Sequence, residues 1–126
     1  MRLVGVAAAG ASATELRRLA QPILDRQRSD GGWAQREAFA SDAYATGMTI
    51  WALNEAGVLR PDAKEVAKGL KFLLGTQSED GSWRVASRAT KFQQYFESGF
   101  PYGHDQWIST MATGWAANAL ALSINQ

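Results

Sequence analysis

Glu97, His104 and Asp105, three side chains that can hold or move a proton, sit close together in a stretch crowded with aromatic rings. Phe92, Tyr95, Phe96, Phe100, Tyr102 and Trp107 account for six of the thirteen aromatic residues of this 126-residue chain. Three kinds of behaviour fit such a mixture. A carboxylic acid beside an imidazole can act as a general acid, with Asp105 or Glu97 as donor and His104 tuning it. Aromatic side chains around one polar anchor can line a pocket for an apolar ligand, with Tyr95, Phe96, Phe100, Tyr102 and Trp107 as lining. The segment can also fold back as a plug, its rings covering core that nothing else covers. Beyond Asp105, His104 and Glu97, the catalytic residues stay undetermined. These three could also ligate a metal, but loosely spaced sets of this kind arise often by chance, so neither a metal nor a cofactor is assigned.

These residues must be held by something, and the chain repeats itself on either side of them. Ser12, Glu15, Arg18 and Leu24 recur fifty positions later as Asp62, Glu65, Lys68 and Leu74, and Gln27, Asp30, Gly31 and Trp33 recur as Gln77, Asp80, Gly81 and Trp83. A period near that length signals stacked supersecondary units, each of which needs a neighbour to cover its apolar face. Ser12 with Glu15, and Asp62 with Glu65 after Pro61, have the spacing of capping boxes, so helices are expected from about 12 to 27 and from about 62 to 77. Pro22 should kink the first. Each helix runs into a glycine-containing polar turn, 29–32 or 78–81, where a positive φ is needed for chain reversal.

A second type of helix follows each turn. Ala45-Thr46-Gly47 and Ala52-Leu53 reappear as Ala112-Thr113-Gly114 and Ala119-Leu120, now with a longer offset that places an insertion at about 84–108. These helices, expected at about 42–56 and 109–124, are rich in small residues and are read as buried between neighbours. The chain therefore reads as one all-α domain over 1–126, with repeat 1 at 12–57 and repeat 2 at 58–126. A weak secretory leader is compatible with the first thirteen residues. The better reading makes 1–11 the tail of an earlier repeat's helix, because Leu3, Val6, Ala9 and Gly10 match Ile50, Leu53, Ala56 and Gly57.

Composition narrows the partners. With a net charge of +1 and basic residues scattered along helix faces, the chain carries no footprint for nucleic acid. No apolar run reaches the about 20 residues of a membrane span. The absence of cysteine removes disulfides, a thiolate nucleophile and cysteine-ligated zinc, and leaves the compartment undetermined.

The run Lys68-Gly69-x-x-Phe72-Leu73-x-x-x-Gln77-x-x-x-Gly81-x-Trp83 resembles the QW repeat of the terpenoid cyclase and protein prenyltransferase superfamily, the squalene and hopene cyclase-like proteins. Gln27, Gly31 and Trp33 keep the pattern in the first copy, where Leu19 and Pro22 replace Gly69 and Phe72. The resemblance implies an α/α toroid of helical hairpins, of which this chain holds about five helices. It also implies an apolar cavity near which Trp115 joins the ligand candidates. Gln27, Trp33, Gln77 and Trp83 are read as a structural clamp rather than as ligand contacts. The chemistries implied by the resemblance do not carry over: there is no Asp-x-Asp-Asp motif for alkene protonation, and no cysteine for zinc or a thioester. The leading expectation is a noncatalytic or catalytically incomplete module that binds an apolar ligand or a protein partner, either as a homo-oligomer or with the remainder of a longer chain. A terpenoid-type lyase or transferase acting on an isoprenoid within a larger chain is the second expectation. A carbohydrate-active α/α-toroid hydrolase with paired carboxylates is the third.

Overall fold

The computed structural model describes residues 2–90 and 94–124; Phe92, one of the six aromatics counted in the insertion, lies outside the described residues. Within them the chain is all-α, with five α-helices, one 3-10 turn and no strand. Helix α1 spans Arg2–Ala8, α2 Ala13–Leu24, α3 Ala43–Glu55, α4 Lys64–Thr76 and α5 Gln106–Ile124, and the 3-10 turn at Gly103–Asp105 leads into α5.

Ser12 caps α2 as its sequence predicts, its hydroxyl accepting from the Glu15 amide at 3.2 Å. The expected cap at Asp62 is not formed. Arg60 and Ala63 close a turn ahead of the helix through Ala63 N–H to Arg60 O, 3.0 Å, and the Asp62 carboxylate pairs with Arg60 instead. Helix α4 thus starts at Lys64 behind Ala63, which offers no side-chain cap. The first long helix also stops earlier than 27. Pro22 has no N–H to donate within the last turn, and the chain tightens there: Gln27 N–H donates to Leu24 O, three residues back.

The two polar turns are closed by the same bonds. The Gln27 amide donates to Gly31 O at 2.9 Å and the Gln77 amide to Gly81 O at 2.8 Å. Asp30 and Asp80 each accept the amide two residues on, and Gly31 and Gly81 each take a positive φ, +87° and +83°. Each indole N–H donates to a carbonyl near the end of the preceding helix, Trp33 to Ile23 O and Trp83 to Leu73 O, both at 2.8 Å. The backbone N–H of Trp33 then reaches the Thr46 hydroxyl at 2.9 Å, and that of Trp83 reaches Thr113 at 3.0 Å, tying each turn to the small-residue helix that follows. Both indoles are 3% exposed.

Helices α3 and α5 make the principal pairing. At Gly47 a Cβ would lie 2.5 Å from the Trp115 carbonyl carbon, so the α5 backbone rests directly on α3 where only a hydrogen fits. The main core joins Trp33, Ile50, Val66, Leu73 and Trp83 to Ala112, Ala116 and Ala119. A second cluster gathers Leu3, Leu16, Ala20 and Leu53 among α1, α2 and the end of α3. Helix α3 is buried along most of its length, as its small residues suggest. Helix α5 is not: Ala112, Ala116 and Ala119 face the core, but Trp107 and Met111 are more than half exposed because the described residues place no further helix against that face.

Candidate functional site

The described residues of the insertion run from Trp83 toward α5 without regular structure until the 3-10 turn, and a few polar ties hold them. Asp105 is the main one. Its carboxylate accepts the Ser87 amide at 2.8 Å and the Arg84 guanidinium at 3.0 and 3.2 Å. Those partners, the Ser87 amide first and Arg84 after it, hold the Asp105 carboxyl below the usual carboxylate range against a smaller opposing effect of burial. Arg88 stacks over the Phe39 ring at 3.5 Å, binding the same strand of loop to the first turn region.

Gln106, the first residue of α5, is fully buried and acts as a second tie. Its amide donates to Phe96 O at 2.8 Å, while its carbonyl oxygen accepts from the Ser98 amide at 2.6 Å and from the Ser98 hydroxyl. This is why α5 begins at Gln106 and not near Ser109. Sequence reasoning missed Gln106 along with Arg84 and Ser87. A glutamine directly before a run of apolar and small residues was the one available signal for Gln106; the other two have none.

Between these ties lies an open cleft of about 330 Å³ lined by Tyr95, Phe96, His104, Asp105, Gln106 and Trp107 together with Ser87, Ala89, Thr90 and Gln94. Five of the residues singled out from sequence meet there: Tyr95, Phe96, His104, Asp105 and Trp107. The Tyr95 ring packs against the His104 imidazole, centroids 4.7 Å apart. Phe96 is 70% exposed, Trp107 58% and Tyr95 48%, so these rings do not plug a core; they stand open on the surface.

The other candidates lie elsewhere. Glu97 is outside the cleft lining and is bound locally, to the Tyr95 hydroxyl and the Gly99 amide at 3.0 Å. The Tyr95 hydroxyl, then the Gly99 amide, pull the Glu97 carboxyl below its ordinary value, and the same bond raises the Tyr95 phenol. Tyr102 turns inward, its hydroxyl between Ser78 and Ser82 at 2.9 and 2.5 Å, with its backbone in the left-handed region at φ +85°. Such a conformation costs a non-glycine residue about 1–3 kcal/mol and persists where neighbours fix it. Ser82 in turn lies on Asp80, whose carboxyl its two hydrogen bonds lower. Phe100 packs on Tyr102, and Trp115 stacks on Trp51 between α3 and α5, 5.2 Å between centroids.

Neither carboxyl of the insertion carries the raised pKa of a general acid. A general acid at neutral pH needs a raised carboxyl pKa, yet Asp105 and Glu97 are both shifted the other way by donors that prefer the carboxylate. No group of three metal-ligating side chains forms among the described residues. No helix among them is long and apolar enough to cross a membrane.

Similarity to known proteins agrees with the turn chemistry in part. Over 97 residues, 68% of this chain, it is 32% identical to a squalene–hopene cyclase of Bradyrhizobium diazoefficiens. Over 82 residues, 59% of the chain, it is 32% identical to lanosterol synthase of Mus musculus. These stretches make up 13% and 11% of the two relatives, so the chain corresponds to a small part of either. No family model matches, and no solved structure matches. The chain is thus related, over part of its length, to terpenoid cyclase-like proteins.

Proposed function

We propose that this chain is a catalytically incomplete squalene cyclase-like module, an arc of an α/α toroid built from QW repeats, that binds an apolar, isoprenoid-type ligand in the cleft beside α5. The observation that carries the ligand is the cleft itself: Tyr95, Phe96 and Trp107 stand exposed around it, and His104 and Asp105 give it one polar edge. Burial of exposed rings against an apolar chain supplies the driving force, about 25 cal/mol for each Å² removed from water. The QW reading rests on the matched turns at Gln27-Gly31-Trp33 and Gln77-Gly81-Trp83, which share the glutamine-to-glycine bond and the indole bond to the preceding helix, and on the similarity to squalene–hopene cyclase and lanosterol synthase. In that reading, the repeats are 12–57 and 58–126, with 1–11 as the tail of a preceding unit.

Tryptophan emission tests it, with farnesol and detergent-dispersed squalene as probes. Trp107 is the most exposed of the indoles, so a ligand in the cleft quenches or blue-shifts emission saturably, and Trp107→Phe removes the response. Emission unchanged at probe saturation, or an equal response in Trp107→Phe, sinks the ligand assignment.

A further inference from the structure

Two cavities meet at the first hairpin, one apolar and one basic. The apolar cavity, about 250 Å³, is walled by Leu3 of α1, Ile23 of α2, Trp33, and Met48 and Leu53 of α3. Its Trp33 wall is fixed, because the indole N–H is engaged by Ile23 O. The basic cavity, about 500 Å³, carries Arg26, Arg28 and Arg36 in its lining. Arg26 and Ala34 belong to both, so the two adjoin there, and Arg2 adds a fourth guanidinium on the apolar side. Local structure places these cations. Beyond the end of α2 the Arg26 amide donates to Ile23 O at 3.3 Å, and Arg28 is pinned by its amide to Gly32 O and by Gly31 N–H to its own carbonyl. The Arg28 guanidinium donates to Glu37 O at 2.7 Å. Among the described residues none of the four arginines has a carboxylate within ion-pair distance. Asp25 and Glu37 share the basic lining and offset part of its charge, Asp25 while accepting from the Gln21 amide at 2.8 Å.

From this juxtaposition we infer that the first hairpin holds a second ligand site, for a single-chain amphiphile with a carboxylate head, an acid of the fatty-acid class. The alkyl chain enters the cavity at Leu3, Ile23 and Trp33, and the carboxylate stays at the shared edge with Arg26, Arg28 and Arg36. A guanidinium presents paired N–H groups that match the two oxygens of a carboxylate. A monoanion suits this lining better than a phosphate dianion, because Asp25 and Glu37 already place two negative charges in it. The charge pattern also sets this occupant apart from a second copy of the chain. Three of the large exposed apolar side chains, Trp107, Met111 and Ile124, lie on α5. That helix has no charged side chain in its 19 residues, and Asp105 just before it is held by Arg84 and Ser87. Docked on the apolar cavity, it would bring the arginines no anion. The cleft beside α5 is also a different kind of site, its described lining containing one carboxylate and no lysine or arginine.

Isothermal titration calorimetry of the full chain with decanoate and with 1-decanol, both kept below the concentration at which they aggregate, tests this at neutral pH. An apolar cavity alone prefers the alcohol, since an ionised carboxylate loses more hydration on leaving water. The site predicts the reverse order, with one decanoate bound per chain. Arg26→Gln, at an exposed side chain that makes no ion pair among the described residues, weakens decanoate about fivefold and leaves decanol unchanged. Thr49→Leu, which fills the apolar cavity, weakens both; should that variant fail to fold by circular dichroism, Arg26→Gln still decides. Decanol binding as tightly as decanoate, or Arg26→Gln binding decanoate like the unaltered chain, overturns the inference. Decyl phosphate binding more tightly than decanoate overturns the choice of carboxylate. Decanoate binding that is lost in Trp107→Phe and kept in Thr49→Leu assigns the amphiphile to the cleft beside α5 and overturns the second site.

Discussion

Replacing Trp83 by alanine removes an indole that is 3% exposed and whose N–H holds the Leu73 carbonyl at the end of α4. A buried indole takes about 200 Å² out of water, which at about 25 cal/mol per Å² contributes about 5 kcal/mol. Alanine retains about 1 kcal/mol of this, and the remainder falls within the roughly 3–5 kcal/mol found for removal of large aromatic side chains. Loss of the bond to Leu73 O adds about 1 kcal/mol where water does not replace it. Against a total stability of about 5–15 kcal/mol for a domain, the variant is expected to be close to unfolding. Trp83→Phe keeps most of the apolar burial while losing the N–H, and should cost about 1–2 kcal/mol, which remains measurable if the alanine variant does not fold. Urea denaturation followed by far-UV circular dichroism gives both values, with Trp107→Ala as a surface control expected within about 0.5 kcal/mol of the wild type. A Trp83→Ala cost below about 1 kcal/mol, or one no larger than that of Trp107→Ala, would refute the view that this turn clamps α4 to α5.

Gly47→Ala places a methyl 2.5 Å from the α5 backbone and must push the two helices apart, so a loss of about 1–3 kcal/mol or more is expected in the same assay; an unchanged midpoint means the helices are not in contact at that point. Asp105 predicts an acid-labile loop. Its folded carboxyl is lowered from an ordinary value of 3.8, so its stabilisation is complete above that pH and disappears as the pH falls through the lowered folded value. With the Arg84 side chain 65% exposed the contribution is about 1 kcal/mol or less. The protection of the Ser87 amide, its exchange rate relative to an unstructured chain at the same pH, should therefore fall on acidification, and Asp105→Asn should show lower protection already at neutral pH; equal protection in the two proteins removes Asp105 as the anchor.

The hairpin helices were legible because their determinants are local. Ser12 caps within three residues, the Gln-to-Gly turn closes within four, and a period of fifty made both copies visible at once. Asp42 to Ala56 was anticipated nearly to the residue, since Asp42 caps α3 through the Ala45 amide. Where a local signal had two outlets the reading slipped. Asp62 had the cap spacing but also a nearer arginine, and it took the arginine. The candidate site was less legible. Aromatic density located the cleft, but nothing near Asp105 in sequence announces Ser87 or Arg84, and nothing near Gln106 announces that it reaches back to Phe96. Those bonds depend on where a long irregular segment passes in space, which neither periodicity nor turn chemistry encodes.

The insertion also gives the two hairpins unequal closure distances along the chain. In the first, the Trp33 amide and the Thr46 hydroxyl that receives it are 13 residues apart; in the second, Trp83 and Thr113 are 30 apart. Bringing the more distant pair together costs about 0.7 kcal/mol more in chain entropy before any contact is made. The early hairpin thus has the advantage in the search for native contacts, and α5 can dock only after α3 offers Gly47 as its seat. On this count α2 and α3 are expected to pair first, with the aromatic segment, tied down through Asp105 and Gln106, ordering after them.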